Sequence, residues 1–200
     1  MSGHYFSGDP AAASRPRQVR FRLDGRSYEL ASDAQVFSAD RLDPGTAVLL
    51  RTAPMPRGDQ LLDLGCGYGP IACVLAPRLP AAQVWAVDIN PRARDLTAAN
   101  ARALDLGERV HVAEPDAVPT DVTFDEIWSN PPIRIGKPAL HELLVRWLAR
   151  LNRGGTAWLV VAKNLGSDSL ARWLTDQGYE TTRYASERGY RVLAVRHGAR

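Results

Sequence analysis

From Leu61 onward, short apolar runs alternate with helix-like stretches, and this alternation constrains the fold more than any other feature of the chain. Leu61–Leu64, Gln83–Asp88, Val110–Ala113, Glu126–Ser129 and Ala157–Ala162 read as strands. Pro70–Arg78, Pro91–Leu106, Ala139–Leu151 and Ser169–Gln177 read as helices between or after them. The punctuation fits: Pro91 opens a first turn, and Gly107, Gly154-Gly155 and Gly178 follow helix ends. Strands joined through helices run parallel and are covered on both faces. Tyr179–Tyr184 and Tyr190–Val195 flank Glu187-Arg188-Gly189, so the sheet should close with an antiparallel hairpin. The expectation is an α/β fold with a mostly parallel, seven-stranded sheet and helices on both faces.

Before this region, Val19–Leu23 and Ser27–Leu30 alternate in polarity around Asp24-Gly25, a β-hairpin signal. One face is apolar; the other carries Arg20 and Arg22, with Arg26 beside the turn. These arginines are either solvated or placed for phosphate. Residues 1–16 read as a flexible arm, 17–50 as the hairpin and its connection, with a short helix over Ala47–Arg51, and 51–200 as the main body. Residues 17–200 should form one globular unit. No run approaches the roughly 20 apolar residues of a membrane span, and no basic-then-apolar leader is present. A cytoplasmic protein is expected. Cys66 and Cys73 lack partner spacing for zinc and read as packing thiols, so no metal is expected. Net charge is +3, with Lys137 and Lys163 the only lysines among 25 cations. This balance permits a nucleic-acid partner without requiring one.

Asp63-Leu64-Gly65-Cys66-Gly67-Tyr68-Gly69 follows the first parallel strand. Its glycines let the backbone approach a ligand at a helix start. A dinucleotide site needs a third glycine where Pro70 stands, and proline has no amide hydrogen to donate. The loop therefore suits an amino-acid-bearing nucleoside better than a pyrophosphate. Asp88 ends the next strand, where a carboxylate can accept both ribose hydroxyls. Asp116 either accepts from an adenine amino group or is a solvated loop residue. Asp63 either bonds the loop's own amides, contacts the ligand, or does both. Further on, Asn130-Pro131-Pro132-Ile133 ends an apolar run. Alone it is a strand-ending turn; downstream of the glycine loop it points to chemistry on a planar amine.

These residues together resemble a class I S-adenosylmethionine-dependent methyltransferase with a Rossmann-like fold. More narrowly, they resemble single-domain relatives of the ribosomal RNA small-subunit methyltransferase C family, which methylate N2 of guanine. The likeness covers nearly the whole chain. It includes His4-Tyr5-Phe6, Phe37-Ser38, Asp43 with Gly45-Thr46, Leu62 to Pro70, Val87-Asp88-Ile89-Asn90, Asn100-Ala101, Ser129 to Arg134 with Gly136-Lys137, and Gly189 to Val192. The resemblance implies S-adenosyl-L-methionine as cofactor, held by Thr46, Asp63, Gly65, Cys66, Gly67, Asp88, Ile89, Asp116 and Ala117. It implies ribosomal RNA or the small ribosomal subunit as partner. Asn130 and Pro131 would be catalytic, and Pro132, Ile133, Arg134, Lys137, Phe37 and Lys163 would meet the substrate.

An exocyclic amine is a poor nucleophile because its lone pair is delocalised. The Asn130 side-chain oxygen and the Pro131 carbonyl can accept its two N–H bonds and free that pair, and two prolines pre-place the acceptors. Many relatives carry Phe or Tyr after Asn-Pro-Pro to stack on the base. Ile133 cannot stack, so Phe37 or another aromatic must supply the platform, or apolar clamping alone must serve. Two-domain members have a further N-terminal domain, so RNA docking here should fall to the arm, the hairpin or a dimer mate. Lys137 and Lys163 fall at the C-terminal edge of the predicted sheet, and at least one should contact RNA. Two other readings stand beside this one: methylation of a protein glutamine amide, and a non-catalytic nucleoside- or RNA-binding module.

Overall fold

A computed structural model describes residues 15–34 and 36–198. The expected arm, with His4-Tyr5-Phe6, lies outside the described residues except for Arg15 and Pro16. The elements are β1 (Pro16–Leu23), β2 (Arg26–Asp33), α1 (Pro44–Thr52), β3 (Gln60–Leu64), α2 (Pro70–Arg78), β4 (Gln83–Val87), α3 (Pro91–Ala103), β5 (Val110–Ala113), β6 (Phe124–Ser129), α4 (Lys137–Leu148), β7 (Leu151–Ala162), α5 (Ser167–Asp176), β8 (Tyr179–Glu187) and β9 (Tyr190–His197).

The main sheet has seven strands in the order β5-β4-β3-β6-β7-β9-β8. Strands β3 to β7 are parallel; β9 runs antiparallel to both β7 and β8. One apolar cluster, with Val48, Leu49, Val74 and Leu75, joins α1 and α2 to one sheet face. A second, with Leu140, Leu144, Trp147, Leu170 and Leu174, joins α4 and α5 to the other. The expected α/β architecture is present. No helix among the described residues is long and apolar enough to cross a membrane.

Strands β1 and β2 form a separate two-stranded sheet in full antiparallel register. Its turn places Asp24 and Gly25 both at positive φ (49° and 76°), the geometry that matches strand twist in a two-residue hairpin. Val19 and Leu30 cover Tyr68, Cys73 and Ala93. Asn100, buried on α3, fastens this sheet to the glycine loop. Its Oδ1 accepts from Ala31 N (2.7 Å), and its Nδ2 donates to Ala31 O (2.9 Å) and Tyr68 O (2.8 Å).

Several boundaries differ from the sequence reading. Helix α1 starts earlier, at Pro44, because Asp43 caps it and Pro44 occupies its first turn. Helix α3 ends at Ala103 rather than Leu106. Asp105 takes the left-handed position (φ 57°), and Leu106 N bonds Ala101 O (2.8 Å), closing a Schellman motif before Gly107 is reached. Helix α4 stops at Leu148, and Leu151 already belongs to β7. Gly154-Gly155 instead sits in an irregularity of β7, where residues 151–156 oppose 124–126. A Cβ on Gly155 would lie 2.7 Å from Asp125 O, so the bulge itself needs glycine there.

Candidate active site

The chain runs outward from β3 through β4 to β5, then returns to place β6 on the other side of β3. The ends of β3 and β6 thus form the switch point where open α/β sheets bind ligands. The glycine loop leaves β3 there and Asn130 leaves β6. Ser129, fully buried, ties the two ends by donating Oγ–H to Leu64 O (2.7 Å).

The glycine loop is held by its neighbours. Gly65 N and Cys66 N donate to Val87 O (2.8 and 3.0 Å), and Thr97 Oγ donates to Gly67 O (2.9 Å). Gly69 caps α2 at φ 87° without a side chain to bond the helix amides. Asp63 supplies that bond from β3: its Oδ2 accepts from Ala72 N (2.9 Å). The other oxygen, Oδ1, is buried with no partner. Burial, with a smaller push from Asp88, raises this carboxyl to about 8. Asp88 also contributes to the loop. Its Oδ2 accepts from Gly67 N (3.0 Å) and its Oδ1 from Asn90 N (2.9 Å). Burial raises its pKa, opposed by those amides and by Arg94. Each oxygen keeps a lone pair for a ligand hydroxyl. Asp63 thus bonds an amide of α2 rather than one of the loop's own, and its second oxygen is buried without a partner.

The glycine loop leaves open space beside its backbone. A Cβ built on Gly65 or Gly67 would meet nothing within 4 Å, and both have positive φ (75° and 57°). Asp88 places its carboxyl beside the loop, and Ile89, next in chain, presents an apolar side chain that is 52% exposed. Cys66 is buried, and burial raises its thiol pKa, so it contributes packing rather than a thiolate. Asp116 is exposed and pairs with Arg146 (2.8 Å), while Ala117 N closes a turn onto Glu114 O (3.1 Å). The structure thus gathers Asp63, Gly65, Cys66, Gly67, Asp88 and Ile89 around one loop, and gives Asp116 and Ala117 other partners.

At the β6 end, Asn130 Nδ2 donates to Asp43 Oδ1 (2.7 Å) and Thr46 Oγ1 (3.1 Å). Thr46, expected at the cofactor, holds the Asn130 carboxamide. Asp43 Oδ1 also accepts from Thr46 N (2.8 Å), so one carboxylate caps α1 and grips Asn130. Gly45 lies beneath Tyr190: a Cβ there would come 2.8 Å from its ring and 3.0 Å from Asp43 Oδ1. Pro131 is buried, and its carbonyl accepts from Ile133 N (2.8 Å) in a tight turn, leaving one lone pair. Ile133 packs partly into the α4–α5 cluster with Ile135 and Leu143. Pro132 is half-buried; Arg134 and Lys137 are exposed, Lys137 as the first residue of α4. Lys163 is exposed after β7, where its backbone N donates to Gly189 O (2.8 Å). Phe37 is 59% exposed and makes no ring stack among the described residues.

Asp43, Asn100 and Tyr190, which stand in the resemblance without a stated role, carry much of this geometry, as does Thr97, which the sequence does not single out. Asp43-Pro44 carries a helix-cap signal; nothing local links it to a residue 87 positions away.

The methyltransferase small domain model matches residues 27–194. An uncharacterized Bacillus subtilis (strain 168) protein, YbxB, is 31% identical over 98% of this chain and 99% of its own length. Ribosomal RNA small subunit methyltransferase C of Shewanella amazonensis (strain ATCC BAA-1098 / SB2B) is 32% identical over 82% of this chain and 49% of its own. Among solved structures, the T. thermophilus 16S rRNA N2 methyltransferase RsmC, in complex with AdoMet and guanosine, superposes with a TM-score of 0.77 at 27% identity. It covers 91% of this chain and 50% of that one. The chain thus spans about half the length of its methyltransferase C relatives and nearly all of YbxB.

Proposed function

Because this chain belongs to the methyltransferase small domain family, we propose that it transfers a methyl group from S-adenosyl-L-methionine to an exocyclic amine of ribosomal RNA, N2 of guanine in the small subunit. The observation that carries this reading is the Asn130 carboxamide. Its NH2 is fully engaged by Asp43 and Thr46, which leaves Oδ1 to meet a substrate donor at the switch point. The solved relative bound to AdoMet and guanosine supports the same cofactor and base.

The cofactor, when bound, supplies an electrophilic methyl group on a sulfonium centre. Asp63, on giving up its proton, would accept from its ammonium through Oδ1, Asp88 would accept from its ribose hydroxyls, and Ile89 would cover its base. Asp116 and Ala117 would border that base, which requires Asp116 to leave Arg146. Asn130 Oδ1 and the remaining lone pair of Pro131 O accept the two N–H bonds of the amine. This drives its nitrogen toward tetrahedral geometry and frees the lone pair, which would take the methyl as its bond to sulfur breaks, leaving a neutral thioether, and the nitrogen would then release one proton to water. Pre-placed acceptors of this kind contribute by orientation, an effect worth roughly 7–11 kcal/mol at its upper range. Pro132 and Ile133 form an apolar wall, and exposed Phe37 offers the base a stacking surface. Arg134, Lys137 and Lys163 are exposed cations for RNA phosphates. A cytoplasmic location follows from this substrate.

The test is tritium transfer from labelled S-adenosylmethionine to ribosomal RNA transcribed in vitro, to small ribosomal subunits and to total cell protein, beside Asn130→Ala. Label in RNA or subunits that disappears in the variant supports the reading. Label in protein instead would support glutamine methylation. Cofactor binding with no transfer to any of them would support a binding module.

A further inference from the structure

We propose that Asp43 is a positioning residue: it fixes which end of the Asn130 carboxamide faces the substrate. This rests on the reading of Asn130 as the acceptor for the target amine. A carboxamide offers an oxygen and an NH2 of nearly equal size, and only its hydrogen-bond partners decide which points where. On its inner side Asn130 meets Asp43 Oδ1 at 2.7 Å and Thr46 Oγ1 at 3.1 Å. Asp43 Oδ1 already acts as an acceptor toward Thr46 N, so the NH2 end is the one that faces it. The flipped carboxamide would set two oxygens against each other and present NH2 to an amine that also needs an acceptor. Asp43 thus selects the productive rotamer, and its charge polarises the carboxamide, strengthening Oδ1 as an acceptor.

Asp43 is itself immobilised. The same oxygen accepts from Thr46 N (2.8 Å), Pro44 fixes the first turn of α1, and the Tyr190 ring lies against Gly45. The requirement at this position is therefore twofold: an acceptor for the helix, and an acceptor long enough to reach Asn130. The two demands can be separated. Serine caps helices as well as aspartate does but is too short to reach Asn130. Asparagine can do both, without the charge.

The experiment compares Asp43→Ser, Asp43→Asn, Asn130→Asp and the double variant Asp43→Asn with Asn130→Asp. Each is assayed for methyl transfer to small ribosomal subunits, for S-adenosylmethionine affinity and for thermal midpoint. Asp43→Ser should keep the wild-type midpoint and cofactor Kd within about threefold, yet lose roughly 30- to 100-fold in kcat. Asp43→Asn should lose only several-fold. Asn130→Asp places two carboxylates face to face and should lose at least about 100-fold. In the double variant the residue at 43 carries no charge, so the repulsion between two carboxylates is removed, and at least about tenfold of that loss should return. A purely structural role predicts no such recovery. Asp43→Ser with wild-type kcat, or a double variant no better than Asn130→Asp, overturns the proposal. Wild-type protein and Asn130→Ala that are equally active, or equally inactive, would overturn the reading of Asn130 instead.

Discussion

Asp63→Asn should become progressively more stable than the wild type as pH rises, although the residue sits in the candidate site. Asp63 is fully buried, one oxygen bonded to Ala72 N and the other without a partner, and its carboxyl is raised from 3.8 to about 8. The folded state therefore holds a proton that the unfolded chain releases near pH 4. A raised folded pKa contributes stability that is complete below the unfolded pKa and is lost as pH climbs through the folded value. With the slope of about 1.4 kcal/mol per pH unit between these limits, the wild type should lose about 3–4 kcal/mol from pH 5 to pH 8 through this group. Asparagine keeps an oxygen for Ala72 N and has no proton to lose. Urea unfolding of both proteins from pH 5 to pH 9 gives the difference directly. The variant should gain on the wild type steadily up to about pH 8 and then level off. Parallel curves across that range would show that Asp63 is ionised in the free fold. The same substitution should weaken S-adenosylmethionine binding by roughly 10- to 100-fold, the range for one hydrogen bond to a charged group.

Other substitutions test neighbouring parts of the account. Gly45→Ala drives a methyl group to 2.8 Å from the Tyr190 ring and 3.0 Å from Asp43 Oδ1. It should cost about 1–3 kcal/mol of stability and reduce kcat, measured by denaturant unfolding and methyl transfer. Asn100→Ala removes three hydrogen bonds and leaves Ala31 and Tyr68 backbone groups without them. A loss of about 2–4 kcal/mol is expected in the same unfolding assay. Lys137→Met and Lys163→Met should each weaken RNA binding and lower the salt dependence of binding by about one phosphate contact. Unchanged affinity and slope would place that lysine outside the RNA path.

What the sequence makes legible is whatever rests on local pattern. The strand–helix alternation from Leu61 reproduces the seven-stranded sheet, and Asp24-Gly25 marks a real two-residue turn because both positions need positive φ. The glycine loop, Asp88 and Asn130 come together because each follows a parallel strand and all parallel strands end on one edge. Errors arise where two signals compete. Gly107 looked like the end of α3, but Asp105 reaches the left-handed conformation first and Leu106 closes the cap. Gly154-Gly155 looked like a helix stop and is a strand bulge, a distinction set by Asp125 on the neighbouring strand. The Asp43–Asn130 contact leaves no trace in either segment. It exists because α1 is packed against the sheet, and long-range packing is not written in any short window of residues.

The atom that receives the methyl group separates these readings most directly. Small ribosomal subunits labelled by the wild-type protein should be digested to nucleosides and resolved by mass spectrometry, beside subunits treated with Asn130→Ala. The account predicts the label in N2-methylguanosine, absent from the variant sample. Label in a base-carbon or ribose methyl product, or N2-methylguanosine formed equally by the variant, would contradict it.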